Sequence, residues 1–273
     1  LKKIIWITSY PKSGNTYVRS FLSHYLYSVD GTINFDLLKK IPKFEKSAIF
    51  KKIIGNSINI DGFEYIKHSL KVQKKLIQSS KQMDLIFKTH NFFGSIDNYE
   101  FTNKENTLLF IYLIRDPREV LVSYASHSGL SIDQLMEFFL TKDRVQKHDL
   151  ELIVNWGLHY KSWKSFKSVP SLFIKYEDLI SNPKKYFGNI ISFLSKHIDI
   201  KLDKELIKRN IDLNNFVNLR EKEKEKGFVE ASNNNMFFRS GKIDSWKNIL
   251  NKDQIKAVEN YFNNEMKELG YLK

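Results

Sequence analysis

The chain contains no cysteine. That excludes a disulfide framework, a thiol nucleophile and any cysteine-ligated metal centre, and makes the cytoplasm the expected compartment. Proline (5) and glycine (11) are scarce in 273 residues and never gather with serine into a linker. No repeat of fixed period occurs. One continuous domain over residues 1–273 is therefore the simplest organisation. No apolar run approaches the roughly 18 residues that a membrane-spanning helix needs. The short run at residues 4–7, after two lysines, is also too short for the core of a signal peptide.

Aromatic residues, by contrast, are plentiful, with 21 Phe and 13 Tyr in a chain that is 42% hydrophobic. This is enough to build a core and excludes a wholly disordered chain. The formal net charge is +13. A basic chain favours anionic partners, whether nucleic acid, an anionic membrane or a phosphate-rich small ligand, and lysine also serves plain solubility. The charges are dispersed rather than gathered in one basic tract, so nucleic acid is not an expected partner. Residues 220–226 (REKEKEK) suit an exposed helix face, and Asn233, Asn234 and Asn235 suit a loop.

Hydrophobic periodicity gives the elements. Residues 3–9, 84–88, 107–114 and 171–175 read as strands. Residues 16–27, 117–125, 150–166 and 183–193 read as helices, and Pro117 suits a first helical turn. Strands separated by helices imply an α/β fold with a central parallel sheet flanked by helices, in which ligands bind at the carboxyl ends of the strands.

The first strand runs into Tyr10-Pro11-Lys12-Ser13-Gly14-Asn15-Thr16 and then a helix. Gly14 permits close backbone approach. The free N–H groups of the helix start, with the side chains of Ser13, Asn15 and Thr16 and the charge of Lys12, compose an anion site. The nucleoside-triphosphatase pattern G-x-x-x-x-G-K-[ST] is absent, which disfavours a P-loop kinase.

This segment resembles the 5′-phosphosulfate loop of sulfotransferases that use 3′-phosphoadenosine 5′-phosphosulfate (PAPS). Further segments match that family in order. Arg115, followed eight residues later by Ser123, resembles its 3′-phosphate segment. Tyr176-Glu177-Asp178-Leu179 resembles the stretch whose tyrosine lies near adenine, and Asn214-Asn215-Phe216 the region that also touches the base. Arg239-Ser240-Gly241 resembles the late R-K-G motif that closes over the 3′-phosphate. Lys88-Thr89-His90 resembles the K-T-H segment whose histidine is the general base.

The resemblance implies a P-loop-like sulfotransferase fold, PAPS as donor, 3′-phosphoadenosine 5′-phosphate (PAP) as product, and no metal. It also implies a small-molecule, glycan or lipid hydroxyl (or amine) as acceptor. His90 would take the acceptor proton, Lys12 would stabilise the leaving group, and Lys88 would hold the sulfuryl oxygens. Tyr17 stands where the family has tryptophan and can still stack on adenine. Phe92 and Phe93 would wall the acceptor pocket.

Three departures stand out. Ser240 replaces a lysine, the aspartate before Trp246 is displaced to Asp244, and the family's dimer motif is not matched. The alternative readings are a catalytically silent PAP-binding protein of the same fold and, less well, a P-loop kinase. The alternative for Arg115 is an ion pair with Asp116 or Glu119. For Trp156, His159 and Trp163, spaced W-x-x-H-x-x-x-W, it is packing.

Overall fold

The computed structural model describes residues 2–56, 62–80, 85–141, 146–148 (backbone alone), 150–228, 230–231, 236–238, 241 and 243–273. In chain order, β1 (Ile4–Ser9) precedes α1 (Asn15–Tyr27), a 3-10 turn (Phe35–Lys40), α2 (Ser47–Ile54) and α3 (Gly62–Ser79). There follow β2 (Leu85–Thr89), a hairpin of β3 (Ser95–Ile96) and β4 (Tyr99–Glu100), β5 (Thr107–Ile114), α4 (Pro117–Ser128) and α5 (Ile132–Phe139). After β6 (Gln146–His148) and β7 (Glu151–Ile153) come α6 (Trp156–Ser165), β8 (Ser171–Lys175), α7 (Tyr176–Ser181) and α8 (Pro183–Leu194). The chain closes with α9 (Lys204–Leu213), α10 (Phe216–Lys226), a second 3-10 turn (Ser245–Asn248), α11 (Lys252–Tyr261) and α12 (Asn263–Glu268).

Two compact units arise from this order. The first comprises residues 1–10, 41–113 and 142–173, and the second residues 11–40, 114–141 and 174–273. The chain thus passes from the first to the second within or just after β1, β5 and β8.

The first unit carries the main sheet, with strand order β2-β1-β5-β8. β1 runs parallel to both of its neighbours, with Thr8 opposite Thr89 and Ser9 opposite Leu113. All six residues of β1 are buried, as a parallel strand covered on both faces demands. Chain reversal about β1 makes the crevice beyond the carboxyl ends of β1 and β5 the place where such sheets take ligands.

The aromatic surplus fills this unit. Trp6 has ring contacts with Phe44, Phe87 and Phe101 at 5.2, 6.1 and 5.1 Å. Its indole N–H donates to Thr107 Oγ1 at 3.0 Å, so the large ring buries without stranding a donor. Phe44 is held in place by its own backbone, because residues 42–44 bond alongside Lys88 beyond the paired register of β2.

The second unit is helical. Phe21 of α1 stacks on Phe187 of α8 with ring centroids 3.9 Å apart. Arg118, buried in α4, bonds Asp116 at 2.6 Å and Glu259 at 2.5 Å and lies under the Trp246 ring at 3.9 Å. A guanidinium buried this deeply persists only because two carboxylates compensate it.

The structure departs from the sequence expectation at residues 150–166. The helix begins only at Trp156, where the Asn155 side chain caps it by accepting from Leu158 N–H, and residues 151–153 instead form β7, antiparallel to β6. The physical reason is that the Leu152 amide and carbonyl are taken by Asn91 Oδ1 and Phe92 N–H, which a helix could not supply. The charge run at 220–226 does form a helix, but Glu223 within it is buried. Its carboxylate accepts the N–H groups of Phe237 (2.6 Å) and Phe238 (2.9 Å).

Phe44 touches the rings of Trp6, Phe50, Tyr65, Phe87 and Phe101 and is fully buried. Phe44→Ala is expected to lower stability by about 3–5 kcal/mol in urea unfolding. A loss under about 1 kcal/mol would show that this aromatic cluster is not the core of the unit.

Candidate active site

Residues 10–14 join β1 to α1 through two left-handed backbone positions, Lys12 (φ 66°) and Gly14 (φ 92°). Gly14 is required here. A Cβ at this position would lie 2.4 Å from Cδ2 of Tyr176, in a conformation that side chains resist. The alternation of handedness turns successive N–H groups to one side, the geometry of an anion nest.

Gly14 caps α1 without any side-chain hydrogen bond, and the first turn carries no acidic residue. The starts of α4, α6 and α8, by contrast, are capped by the side chains of Asp116, Asn155 and Asn182. Ser13 is fully buried, and its hydroxyl has no hydrogen-bond partner among the described residues. An uncapped helix start, a nest and an orphaned buried hydroxyl fit a phosphate group.

Arg115 closes the turn. Its Nη1 donates to the Lys12 carbonyl at 2.9 Å, its guanidinium sits 4.3 Å over the Tyr176 ring, and Nη2 approaches Glu119 at 3.6 Å. Of the two ion-pair partners expected for Arg115, Glu119 contacts it while Asp116 bonds Arg118. Lys12 places its ammonium 4.3 Å over the ring of Phe237, a residue of the late motif. Lys12, Ser13, Gly14, Arg115 and Tyr176 are therefore gathered in one cluster.

Other donor residues stand further out or are otherwise engaged. Asn15 and Thr16 open α1, both buried, and Thr16 Oγ1 donates to Glu230 at 2.9 Å. Glu230 also bridges Arg19 at 2.7 Å. Ser123 lies half-buried on α4. Tyr17 is buried edge-on to Phe187 at 5.3 Å, and burial, with Tyr176 nearby, pushes its phenol well up. Asn214 is buried with its oxygen accepting from Ser20 at 2.6 Å and its amide donating to Asn210. The Phe216 ring fills the space beside Gly241, where a Cβ would come within 2.5 Å of it. Arg239, Ser240, Lys242 and the Asn233–Asn235 loop lie outside the described residues.

In the first unit, Lys88 and His90 are both buried at the end of β2. His90 Nδ1 is 2.7 Å from the Ser9 carbonyl oxygen, which can only accept, and 3.2 Å from Ser9 Oγ, a hydroxyl that can take either role and so accepts beside the carbonyl. Nδ1 therefore carries the hydrogen and Nε2 carries the lone pair, the arrangement a base needs. Burial first, and then the Lys88 charge, hold this imidazole well below its ordinary value, with Lys43 and His159 adding to the effect.

The segment around His90 is held from several sides. Thr89 Oγ1 donates to Glu45, and Asn91 Nδ2 donates to the same Glu45 oxygen at 2.7 Å. Burial and the neighbouring Glu151 carboxylate push Glu45 up to about 7, while Lys43 bonds Glu151 at 3.1 Å. Glu45, Glu223 and Glu230 escape sequence reading, because a lone glutamate shows no sign of what it will accept from.

Phe92 and Phe93 are both half-buried, the Phe93 ring stacked on Phe166 at 4.1 Å and Phe92 beside Gly94. Among the described residues, no group of three or more His, Asp or Glu could hold a metal ion, and no helix is long and apolar enough to cross a membrane.

Comparison with known proteins agrees with this chemistry. A family model described as the sulfotransferase domain matches residues 2–270. Sulfotransferase 1B1 of Mus musculus is 26% identical over 96% of this chain and 82% of its own length. The amine sulfotransferase of Oryctolagus cuniculus is 22% identical over 97% and 81%. Among solved structures, retinol dehydratase in complex with androsterone and the inactive cofactor PAP shares the fold at a TM-score of 0.64. It is 20% identical, covering 97% of this chain and 80% of that one. Mouse sulfotransferase SULT7A1 complexed with PAP does so at 0.61, with 20% identity and coverage of 97% and 84%. With a family model matching residues 2–270 and relatives matching nearly its whole length, the chain belongs to the sulfotransferase family and is a PAPS-dependent enzyme.

Proposed function

We propose that this enzyme transfers the sulfuryl group of PAPS to a hydroxyl of a small acceptor by in-line displacement, with His90 as general base. The acceptor oxygen forms a bond to sulfur as the bond from sulfur to the bridging phosphate oxygen breaks. The acceptor proton passes to His90 Nε2, and the electron pair of the broken bond stays on the 5′-phosphate of PAP. Lys12 offsets the charge that grows on that oxygen, and Lys88 holds the sulfuryl oxygens.

The observation that carries this reading is the bond from His90 Nδ1–H to the Ser9 carbonyl, which leaves Nε2 bare. Burial and the Lys88 charge keep the ring neutral and so able to accept a proton. On the donor side, Lys12, Ser13, Gly14, Asn15 and Thr16 take the 5′-phosphosulfate. Arg115 and Ser123, with Arg239, Ser240 and Gly241, take the 3′-phosphate, while Tyr17, Tyr176, Asn214 and Phe216 surround adenine. A guanidinium grips phosphate through a planar fork, which suits Arg115 to that task.

The half-buried ring of Phe92, next but one to His90, favours an aromatic or lipid-like alcohol as acceptor. The androsterone held by retinol dehydratase is a molecule of that kind. One sulfotransferase domain over residues 1–273, working in the cytoplasm, completes the proposal.

Two substitutions test the two sides of this reading. In calorimetry, Arg115→Ala weakens PAP binding by about 10–100-fold while leaving AMP binding little changed, as loss of a charged hydrogen-bonding partner implies. Equal losses for PAP and AMP would remove the 3′-phosphate assignment. His90→Ala lowers kcat by about 10²–10⁴-fold with PAP affinity intact. Retained turnover would disprove the base, and tight PAP binding with no transfer by the wild type to any acceptor would make the protein a silent binder.

The pH profile of kcat/KM tests the electrostatics. Activity falls as pH drops through the His90 pKa, so the acid limb lies below 6.5, the ordinary histidine value. Lys88→Gln removes a charge that lowers this pKa, and the limb moves up. A limb that stays in place would show that Lys88 does not act on the base.

A further inference from the structure

His159 and Tyr112 have no part in the chemistry above, yet they stand directly behind its base. His159, on α6, is fully buried. Its Nε2 lies 3.0 Å from the His90 carbonyl oxygen. A carbonyl only accepts, so Nε2–H must donate, and Nδ1 is left to accept. Tyr112, on β5, meets that need, with its hydroxyl 2.8 Å from Nδ1. Burial lowers His159 to about 4, so the ring is neutral around pH 7 and this tautomer persists. One helical turn on, Trp163 Nε1 donates to the Asn91 carbonyl at 2.9 Å.

The paired register of β2 with β1 ends at Thr89, so the carbonyls of His90 and Asn91 lie beyond that ladder. Residues 159 and 163 are four apart on one helix face, which lets one helix hold two consecutive carbonyls. A histidine does this more selectively than a plain donor. If its ring flipped or changed tautomer, the Tyr112 hydroxyl and the His90 carbonyl would lose their complementary partners together.

We propose that Tyr112 and His159 are positioning residues for His90. They fix the backbone of residue 90 so that its own Nδ1–H stays on the Ser9 carbonyl and Nε2 stays bare. The inference rests on His90 being the base of the transfer reaction.

The test reads the His90 ring directly in the full chain labelled with ¹⁵N-histidine, with the resonances assigned by their loss in His90→Gln. In the wild type the ring is expected in one tautomer, protonated on Nδ1, titrating below the ordinary value. His159→Leu, close in size but without a donor, is expected to mix the two His90 tautomers. It should also move the midpoint upward, although Lys88 and Lys43 still face the ring. His159→Gln places an amide N–H near the Nε2 position and restores the wild-type signature. PAP affinity stays unchanged throughout, while kcat falls by about 10–100-fold in His159→Leu, as expected of a misplaced catalytic group.

Wild-type His90 signals in His159→Leu, with PAP still bound, would overturn the proposal. So would equal defects in the Leu and Gln variants. Should His159→Leu fail to bind PAP, Tyr112→Phe decides. It keeps the ring and frees Nδ1, so an unaltered His90 signature there overturns the proposal, and mixed tautomers support it. Undiminished transfer by His90→Gln would refute the base assignment itself, and that result is distinct from any in the position-159 series.

Discussion

Everything on the donor side depends on the backbone of the turn after β1. Two left-handed residues within three positions are costly, and at Lys12 the cost falls on a residue with a side chain, by about 1–2 kcal/mol. Neighbouring groups hold the turn in that state. The Tyr176 ring presses against Gly14 where no Cβ can stand, and Arg115 bonds the Lys12 carbonyl from above the same ring. Tyr176 and Arg115 are thus part of the turn's construction as well as candidates for adenine and phosphate. The same contacts that enforce the strained backbone aim its N–H groups and bring the cations to an anion.

The first unit solves a different problem, which is how to bury several ionisable groups beside the His90 imidazole. Burial favours the neutral form of every imidazole and carboxyl group it covers. His90 and His159 are both held neutral, and each is then oriented by a carbonyl on one of its nitrogens. Glu45, pushed up by burial and by Glu151, accepts from the side chains on either side of His90. An imidazole set in this way holds one tautomer, because the carbonyl it faces can only accept.

In the second unit, acidic residues fasten a segment to the phosphate turn. Glu230 takes Thr16 and Arg19 on the first turns of α1, and Glu223 takes two consecutive backbone N–H groups at Phe237 and Phe238. The Phe237 ring then meets the Lys12 ammonium. In a chain of net charge +13, Glu230 meets a guanidinium that is itself buried, where an ion pair is less screened than at the surface.

Much of this was legible beforehand. The strands at 107–114 and 171–175 and the helix after Pro117 have strong local signals, namely continuous β-branched and aromatic runs or a proline in a first turn. The turn at 10–15 was legible because proline, lysine and glycine in that order have few uses between a strand and a helix. Residues 150–166 were misread as one helix, since only a tertiary partner, Asn91, diverts residues 151–153 into a strand. Glu223 looked like one charge of a solvated run, yet it is buried.

The sequence by itself therefore determined most of the elements, the turn after β1 and the ordered family motifs, because each is written in local spacing. Only the tertiary structure decided which nitrogen of His90 is bare, what His159 is for, and which glutamates are buried. Those depend on which groups face each other across tens of residues in the chain, and hydrogen bonding and desolvation act on that juxtaposition alone.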